Sequence, residues 1–402
     1  MHKASDLNYQ KGFGENTAAM RMADILKKVK ARQAGLNKEK EEPKPFPGPQ
    51  DKDKVPSIPR IYQFPNAKQV AKPEESNIEK NKIKRPNVVS QEPSSVKVEK
   101  YPYDNSLRLY EETLILLRQI LKENIDYTSI DVNKLNVQIE KIVEQMRAGN
   151  EHLLYLAFTK EFKGEDYLAY HSLNVCIYSL EIGIGLGYDK YKLHELALLS
   201  ALHDIKMVEH KELVNQPRRL TKEERDKVKR HARDSAYAVE KMIKDHTKIA
   251  VSAILQHHEY VNGSGYPNGL HGDEINEYAK VISLVDMYEA NIHPRIYRDA
   301  YLASDALQEV IRNKDKFEYR FIQVLVDRIG MFPVGSIVKL SSHEIAQVIK
   351  ISYTNSMSPV VQILVNSNGR PIKEKKIIDL SKSQEVVIKK ELKKEDVAAS
   401  RS

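Results

Sequence analysis

Along the 402 residues the pattern of apolar and polar positions changes character twice. From about residue 103 apolar side chains recur at i, i+3 and i+4, the period of an amphipathic helix. LRLYEETLILLRQIL (107–121), KLNVQIEKIVEQM (134–146) and EHLLYLAFTKEF (151–162) carry it first. The same period predicts helices over 166–187, 190–204, 221–245, 248–259, 274–291, 299–313 and 318–330. Within LTKEE (220–224), Thr221 and Glu224 stand at capping-box spacing. After Gly330 the helical period stops. SIVKL, AQVIKISY, VVQILVN and KKIIDL are β-rich runs separated by the turns MSP and NSNGRP. They predict a small all-β unit over 331–382, followed by a charged tail over 383–402. Residues 37–100 hold 10 of the 17 prolines and too little apolar surface to offset chain entropy. Residues 1–102 therefore read as a disordered basic, Pro-rich tail and linker. One stretch within it, with Met22, Ile25, Leu26 and Val29 at helical spacing, predicts a short helix over 20–33. The fold class is mainly α: a helical bundle over 166–330, preceded by a helical adaptor over 103–165 and followed by the β appendage.

Composition narrows the class. No stretch approaches the roughly 18 apolar residues of a membrane span, so a transmembrane segment is not expected. The opening residues lack the apolar region of a secretory signal. A single cysteine, Cys176, excludes a disulfide framework and any CxxC motif. A reducing, cytoplasmic setting is the simple reading. The net charge of +8 lies wholly in the first hundred residues, where 21 Lys+Arg face 13 Asp+Glu; the rest holds 43 of each. No DNA- or RNA-binding body is expected from a neutral bundle. The tail reads first as a solvated linker, with docking of a signalling partner as the sharper alternative.

Chemistry enters with histidine. Of 13 histidines, all but His2 lie between His152 and His343. Seven residues of metal-binding type fall on successive helical segments: His171, His203, Asp204, His231, His257, His258 and Asp286. Recurrence every 26–32 residues returns the chain to one place in a bundle, where facing helices build metal sites. Imidazole and carboxylate without thiolate suit divalent Fe, Mn, Co, Ni or Zn. The remaining histidines, His293 among them, read as ordinary core or surface residues. GSGYPNGL (263–270) supplies a glycine-rich lip beside His257–His258, and HPRIYR (293–298) places Arg295 and Arg298 three apart, suited to phosphate oxygens.

These residues resemble the HD-GYP family of HD-domain metal-dependent phosphohydrolases. The resemblance covers about 165–330 and rests on HSLNV (171–175), ALLSALHDI (197–205), LTKEE through RHARDSA (220–236), HHEYVNGSGYPNGLHGDEI (257–275) and VISLVDMYEANIHPRIYRDAY (281–301). GMFPVGSIVKLSS (330–342) is similar to a β extension that often follows such a domain. The resemblance implies an HD-type bundle and hydrolysis of cyclic di-GMP to pGpG, GMP or both, by hydroxide generated between two divalent metal ions, iron or manganese. It implies one metal held by His171, His203, Asp204 and Asp286. The second would be held by Asp204, His231, His257 and His258, with Asp204 bridging. It also implies substrate contacts from Tyr266, Pro267, Arg295 and Arg298. The adaptor over 103–165 is the segment that could mediate a homodimer.

The sequence departs from the family pattern in three places. Tyr167 stands where some members carry a third-metal glutamate, so two metals are expected. The usual HDIGK is HDIKM, with Met207 at the lysine position. Lys206 is the nearest catalytic substitute, although a regular helix would turn it about 100° away. RHARDS replaces a usual His-Pro-x-x-Gly, so Ala232 and Ser235 read as packing changes.

Overall fold

The computed structural model describes residues 103–393 apart from 124, 161–166, 244–246, 296–297, 354 and 384, together with 396. The expected tail over 1–102, its helix over 20–33 and the residues from 397 onward lie outside the described residues. In chain order the helices are α1 (Tyr103–Ile120), α2 (Val132–Arg147), α3 (His152–Thr159), α4 (Tyr167–Gly185), α5 (Lys190–Leu202) and α6 (Lys211–Val214). Then follow α7 (Lys222–Val228), α8 (His231–Met242), α9 (Thr247–Leu255), α10 (Glu277–Ile292), α11 (Ala303–Arg312) and α12 (Tyr319–Arg328).

α4 is the axis of the bundle. Thirteen consecutive positions, His171 to Gly183, are buried, so this helix has no solvent face. Such a helix must be enclosed on all sides. α1, α2, α3, α5, α10 and α12 all pack against it. The adaptor helices α1–α3 are thus part of the same core, with Leu109, Leu114 and Leu117 of α1 and Ile139, Ile142 and Val143 of α2 at most 5% exposed. Among the described residues no helix is long and apolar enough to cross a membrane.

The single helix expected over 221–245 is two. α7 opens on the capping box, where Glu224 N donates to Thr221 Oγ1 at 3.2 Å and Thr221 N to Glu224 Oε2 at 2.8 Å. The helix then breaks at Lys229–Arg230, which makes His231 the first residue of α8. Apolar periodicity continues across the break and does not mark it.

The C-terminal unit is a five-stranded antiparallel sheet of order β4-β3-β2-β1-β5. Its strands are β1 (Ile337–Leu340), β2 (Ile345–Lys350), β3 (Val360–Val365), β4 (Ile377–Asp379) and β5 (Ile388–Leu392). β5 corrects the sequence expectation, which ends the unit at 382 and leaves 383–402 as a tail. Its sequence IKKEL is too charged to read as a strand, yet it pairs antiparallel with β1 and its glutamate has partners in the helical part. Glu391 is buried and accepts from the main-chain N–H of Ala303 (3.3 Å) and Ser304 (3.0 Å), so it caps the start of α11. A second carboxylate ties the sheet to the helices from the other side. Glu151 accepts from Ile351 N (3.3 Å) and Tyr353 Oη (3.4 Å).

Candidate metal centre

Helix ends supply most of the centre. His203 follows α5, His231 opens α8 one turn after α7, and His257 follows α9. Helix C-termini leave main-chain carbonyls without intrahelical partners. Each of these imidazoles uses such a group three residues earlier. His203 Nδ1 lies 2.8 Å from Ser200 O, His231 Nδ1 2.6 Å from Val228 O, and His257 Nδ1 2.6 Å from Ile254 O. A carbonyl only accepts, so Nδ1 carries the proton and Nε2 is left with a lone pair.

Those lone pairs converge on Asp204. Its Oδ1 lies 3.2 Å from His231 Nε2 and 3.4 Å from His257 Nε2. Its Oδ2 lies 3.7 Å from His203 Nε2 and 3.9 Å from His171 Nε2. Two groups result, Asp204 with His231, His257 and His258, and Asp204 with His171 and His203, each with ligand atoms within 4.8 Å of one another. Asp286 joins from α10, with Oδ1 3.2 Å from His171 Nε2 and Oδ2 3.9 Å from His258 Nδ1. All seven residues expected from the sequence meet here.

A metal fits this arrangement on its own terms. His231 Nε2 lies 3.4 Å from His257 Nε2 and 3.0 Å from His258 Nε2. With the first two nitrogens unprotonated, the approach of His231 to His257 sets lone pair against lone pair unless a cation sits between them. Among the described residues, His203 Nε2 and Asp204 Oδ1 are buried without a hydrogen-bond partner. Such groups are costly to bury unpaired. Burial holds His203 down at about 4, so it is a neutral imidazole at pH 7, the form that could bind a metal. Burial opposes the charge on Asp204, yet the imidazoles around it, His203 first, hold its carboxyl well below the usual range.

Beside the cluster lies a cavity of about 460 Å³. His171, Asp204, His231, His258 and Asp286 form its polar floor, and Leu168, Met207, Val214 and Val228 an apolar wall. Tyr266 lines it and packs on His258, ring centroids 4.7 Å apart. Burial raises the Tyr266 phenol well above its ordinary pKa, so it remains a hydrogen-bond donor. Arg295 lines the cavity with its guanidinium 3.8 Å from the Tyr167 ring centroid, and Tyr167 stacks in turn on His171.

Three of the expected substrate or catalytic residues stand elsewhere. Lys206 turns its ammonium to Glu209 and to the Tyr127 ring, 4.7 Å away, and only Met207 of this pair lines the cavity. Arg298 points its guanidinium back at main-chain oxygens of Ala290 (2.5 Å), Asn291 (3.3 Å) and Asp299 (2.9 Å). Pro267, joined to Tyr266 by a cis peptide, is not among the lining residues.

Several residues are more engaged than their sequence suggests. Glu259 is buried and accepts from Asn268 N (2.6 Å) and Leu270 N (3.1 Å), so it pins the glycine-rich loop beneath His257–His258. Gly265 is required there, because a Cβ would lie 2.5 Å from the His258–Tyr260 backbone. Ser235 accepts from Lys206 N at 3.1 Å and fixes the turn after Asp204, which exceeds a packing role. His293, which reads as an ordinary residue, is buried with Nδ1 2.9 Å from Glu289 Oε1. Glu289 lies within the 281–301 segment quoted above, but no role is expected of it there. Its one signal in the sequence is a carboxylate three residues after Asp286 inside an apolar helix.

Residues 165–319 match an HD domain, and residues 337–400 match a KOW domain associated with HD domain. The chain is 26% identical over 223 residues to a cyclic di-GMP phosphodiesterase of Pseudomonas aeruginosa, covering 54% of this chain and 53% of that protein. It is 28% identical over 215 residues to the cyclic di-GMP phosphodiesterase PdeB of Borreliella burgdorferi, covering 52% and 54%. It is also 30% identical over 142 residues to 3'3'-cGAMP-specific phosphodiesterase 1 of Vibrio cholerae, covering 35% and 32%. A solved HDG"Y"P protein from Bdellovibrio bacteriovorus aligns with a TM-score of 0.46 at 19% identity, over 58% of this chain and 74% of that one. The chain spans about half the length of the first two curated relatives. The chain thus carries an HD domain over residues 165–319 and is similar to proteins named as cyclic di-GMP phosphodiesterases.

Proposed function

We propose that this chain is a metal-dependent phosphodiesterase that hydrolyses cyclic di-GMP to pGpG, GMP or both. The observation that carries the reading is the Asp204 carboxylate, whose two oxygens face two separate histidine groups. Its relatives named as cyclic di-GMP phosphodiesterases support the substrate. His171, His203, Asp204 and Asp286 would hold one divalent ion, and Asp204, His231, His257 and His258 another, with iron or manganese among the ions that suit the donor set. Bound there, the ions supply Lewis acidity that lowers the pKa of water and offsets phosphate charge.

The chain's own residues do the rest. Arg295, held against Tyr167, offers a fork of donors to a phosphate oxygen. Tyr266 offers a neutral O–H and an aromatic face for the nucleotide. Met207, Val214 and Val228 exclude water from one side of the cavity, which strengthens each electrostatic contact within it.

A second reading is favoured by one observation. With Met207 on the cavity wall and Lys206 paired to Glu209, the side chain after the His-Asp pair brings no charge to the substrate. The chain would then bind metal and nucleotide but turn over slowly, acting through a partner. Chromatography of cyclic di-GMP and, separately, 3'3'-cGAMP after incubation with Mn²⁺ or anaerobic Fe²⁺ decides between them, with Asp204→Ala as control. Appearance of pGpG or GMP with the native chain only is expected. Cleavage of cGAMP alone changes the substrate. Metal retention without turnover supports the second reading, and Met207→Lys is then expected to raise turnover about tenfold or more, by restoring a charge-assisted contact.

A further inference from the structure

We propose that the adaptor helix α1 is a working part of the metal centre, with Tyr110 acting as a positioning residue for His171 through Asn174 and Glu289. The inference rests on the metal-binding reading above but not on the substrate.

Glu289 is the hub. It is 0% exposed, and its Oε2 lies 2.5 Å from His171 Nδ1. At that distance the carboxylate oxygen is the acceptor for the Nδ1–H of His171, which presents Nε2 to Asp286 and Asp204. Metal-binding histidines are commonly oriented by a carboxylate in this manner. The other oxygen, Oε1, accepts from Asn174 Nδ2 at 3.0 Å and lies 2.9 Å from His293 Nδ1.

Asn174 makes the link directional. It sits on α4, 0% exposed, one turn after His171. Its amide nitrogen faces the carboxylate, so its carbonyl oxygen must face a donor. Tyr110 Oη supplies that donor at 2.8 Å. Tyr110 is also 0% exposed and belongs to α1, outside the residues 165–319 that match the HD domain. Reversing the amide would set its oxygen against the carboxylate. The phenol hydroxyl therefore fixes the amide, the amide fixes the carboxylate, and the carboxylate fixes the imidazole. His203, His231 and His257 have no such dependence, because each is held by its own main chain.

The test is Mn²⁺ titration of the full chain, followed by electron paramagnetic resonance, for the native protein, Tyr110→Phe, Glu289→Gln and the double variant. Circular dichroism of the metal-free proteins checks the fold. Glu289→Gln is expected to weaken one of two Mn²⁺ binding steps about 10- to 100-fold and to leave the other within about twofold. Tyr110→Phe is expected to weaken the same step by about threefold or more. In the Glu289→Gln background it should add nothing, since both act through one chain of contacts. Additive effects, equal weakening of both steps, or no effect of Tyr110→Phe would overturn the proposal. Asn174→Thr guards against a packing explanation, because it cuts the chain in the middle; it must reproduce Tyr110→Phe, and failure to do so also overturns it. Absence of cyclic di-GMP hydrolysis by the native chain with Mn²⁺ bound would count against the phosphodiesterase reading and leave this result standing.

Discussion

His203, His231 and His257 are each aimed by a carbonyl three residues before them, whereas His171 is aimed by a carboxylate 118 residues away. The two histidine groups that share Asp204 therefore differ in what they need. The first kind of anchor exists once a helix stops and its last carbonyls lack partners. The second exists only when α1, α4 and α10 are packed together. A disturbance far from the site can leave the locally anchored imidazoles in place and still turn His171. Three of the imidazoles, His203, His231 and His257, are fixed by short-range geometry, whereas His171 is open to influence through the fold.

The largest expected effect removes the comparison altogether. Asp204→Ala takes one oxygen from each group at once. Both metal steps should be lost and hydrolysis should fall by at least about 10³-fold, as for removal of a central catalytic group. Metal content by mass spectrometry and turnover by chromatography check it together. Two ions retained at near-native rate would show that neither group depends on the shared carboxylate.

The same contrast explains what can be read from the sequence. His171, His203, Asp204, His231, His257, His258 and Asp286 are visible because polar His and Asp recur beside apolar runs on successive helices. Burying so many of them together is costly unless a metal pairs them. The helices themselves are visible from their period. What escapes is set by contacts across the fold. The break at Lys229–Arg230 leaves the apolar period intact. β5 looks like a charged tail until Glu391 is seen capping α11. Glu289, Asn174 and Tyr110 carry no local pattern that marks them as partners. Arg295 and Arg298 have the same spacing on either account, and only their surroundings separate them.

That pair gives the next effect. Arg295 is held by the distant Tyr167 ring at the cavity, while Arg298 is held by nearby carbonyls of Ala290, Asn291 and Asp299. Arg295→Ala should lower kcat/KM about 10- to 100-fold, the worth of one charge-assisted contact to phosphate, with thermal stability little changed. Arg298→Ala should do the reverse. It should cost about 1–2 kcal/mol of stability through lost hydrogen bonds to main chain, with kcat/KM within about threefold. Steady-state kinetics and thermal unfolding on both variants make the split visible. Equal kinetic losses would place both guanidinium groups on the substrate.

The smallest effect tests distant anchoring away from the site. Glu151 reaches the sheet across 200 residues of sequence, as Glu289 reaches His171 across 118. Their surroundings differ in kind. Burial opposes ionisation of Glu289, but His171 and His293 overcome it and hold its carboxyl well below the ordinary range. Glu151 has an N–H, an O–H and the more distant Lys350, and burial prevails, lifting it to about 7. The sign of the pH effect follows. The unfolded chain releases this proton near the ordinary carboxylate value and the folded chain near 7, so the folded state binds more protons in between. Stability from this group is full below about 4.5 and is lost as pH rises through 7. Glu151→Gln keeps an acceptor and removes the charge. It should raise the unfolding temperature at pH 8 by about 2–5 °C, for a gain on the order of 1–2 kcal/mol, and change it little at pH 5. Thermal unfolding at the two pH values checks it. A shift of the same size at both would mean that the carboxylate acts on the sheet through its shape, and that its burial carries no cost in charge.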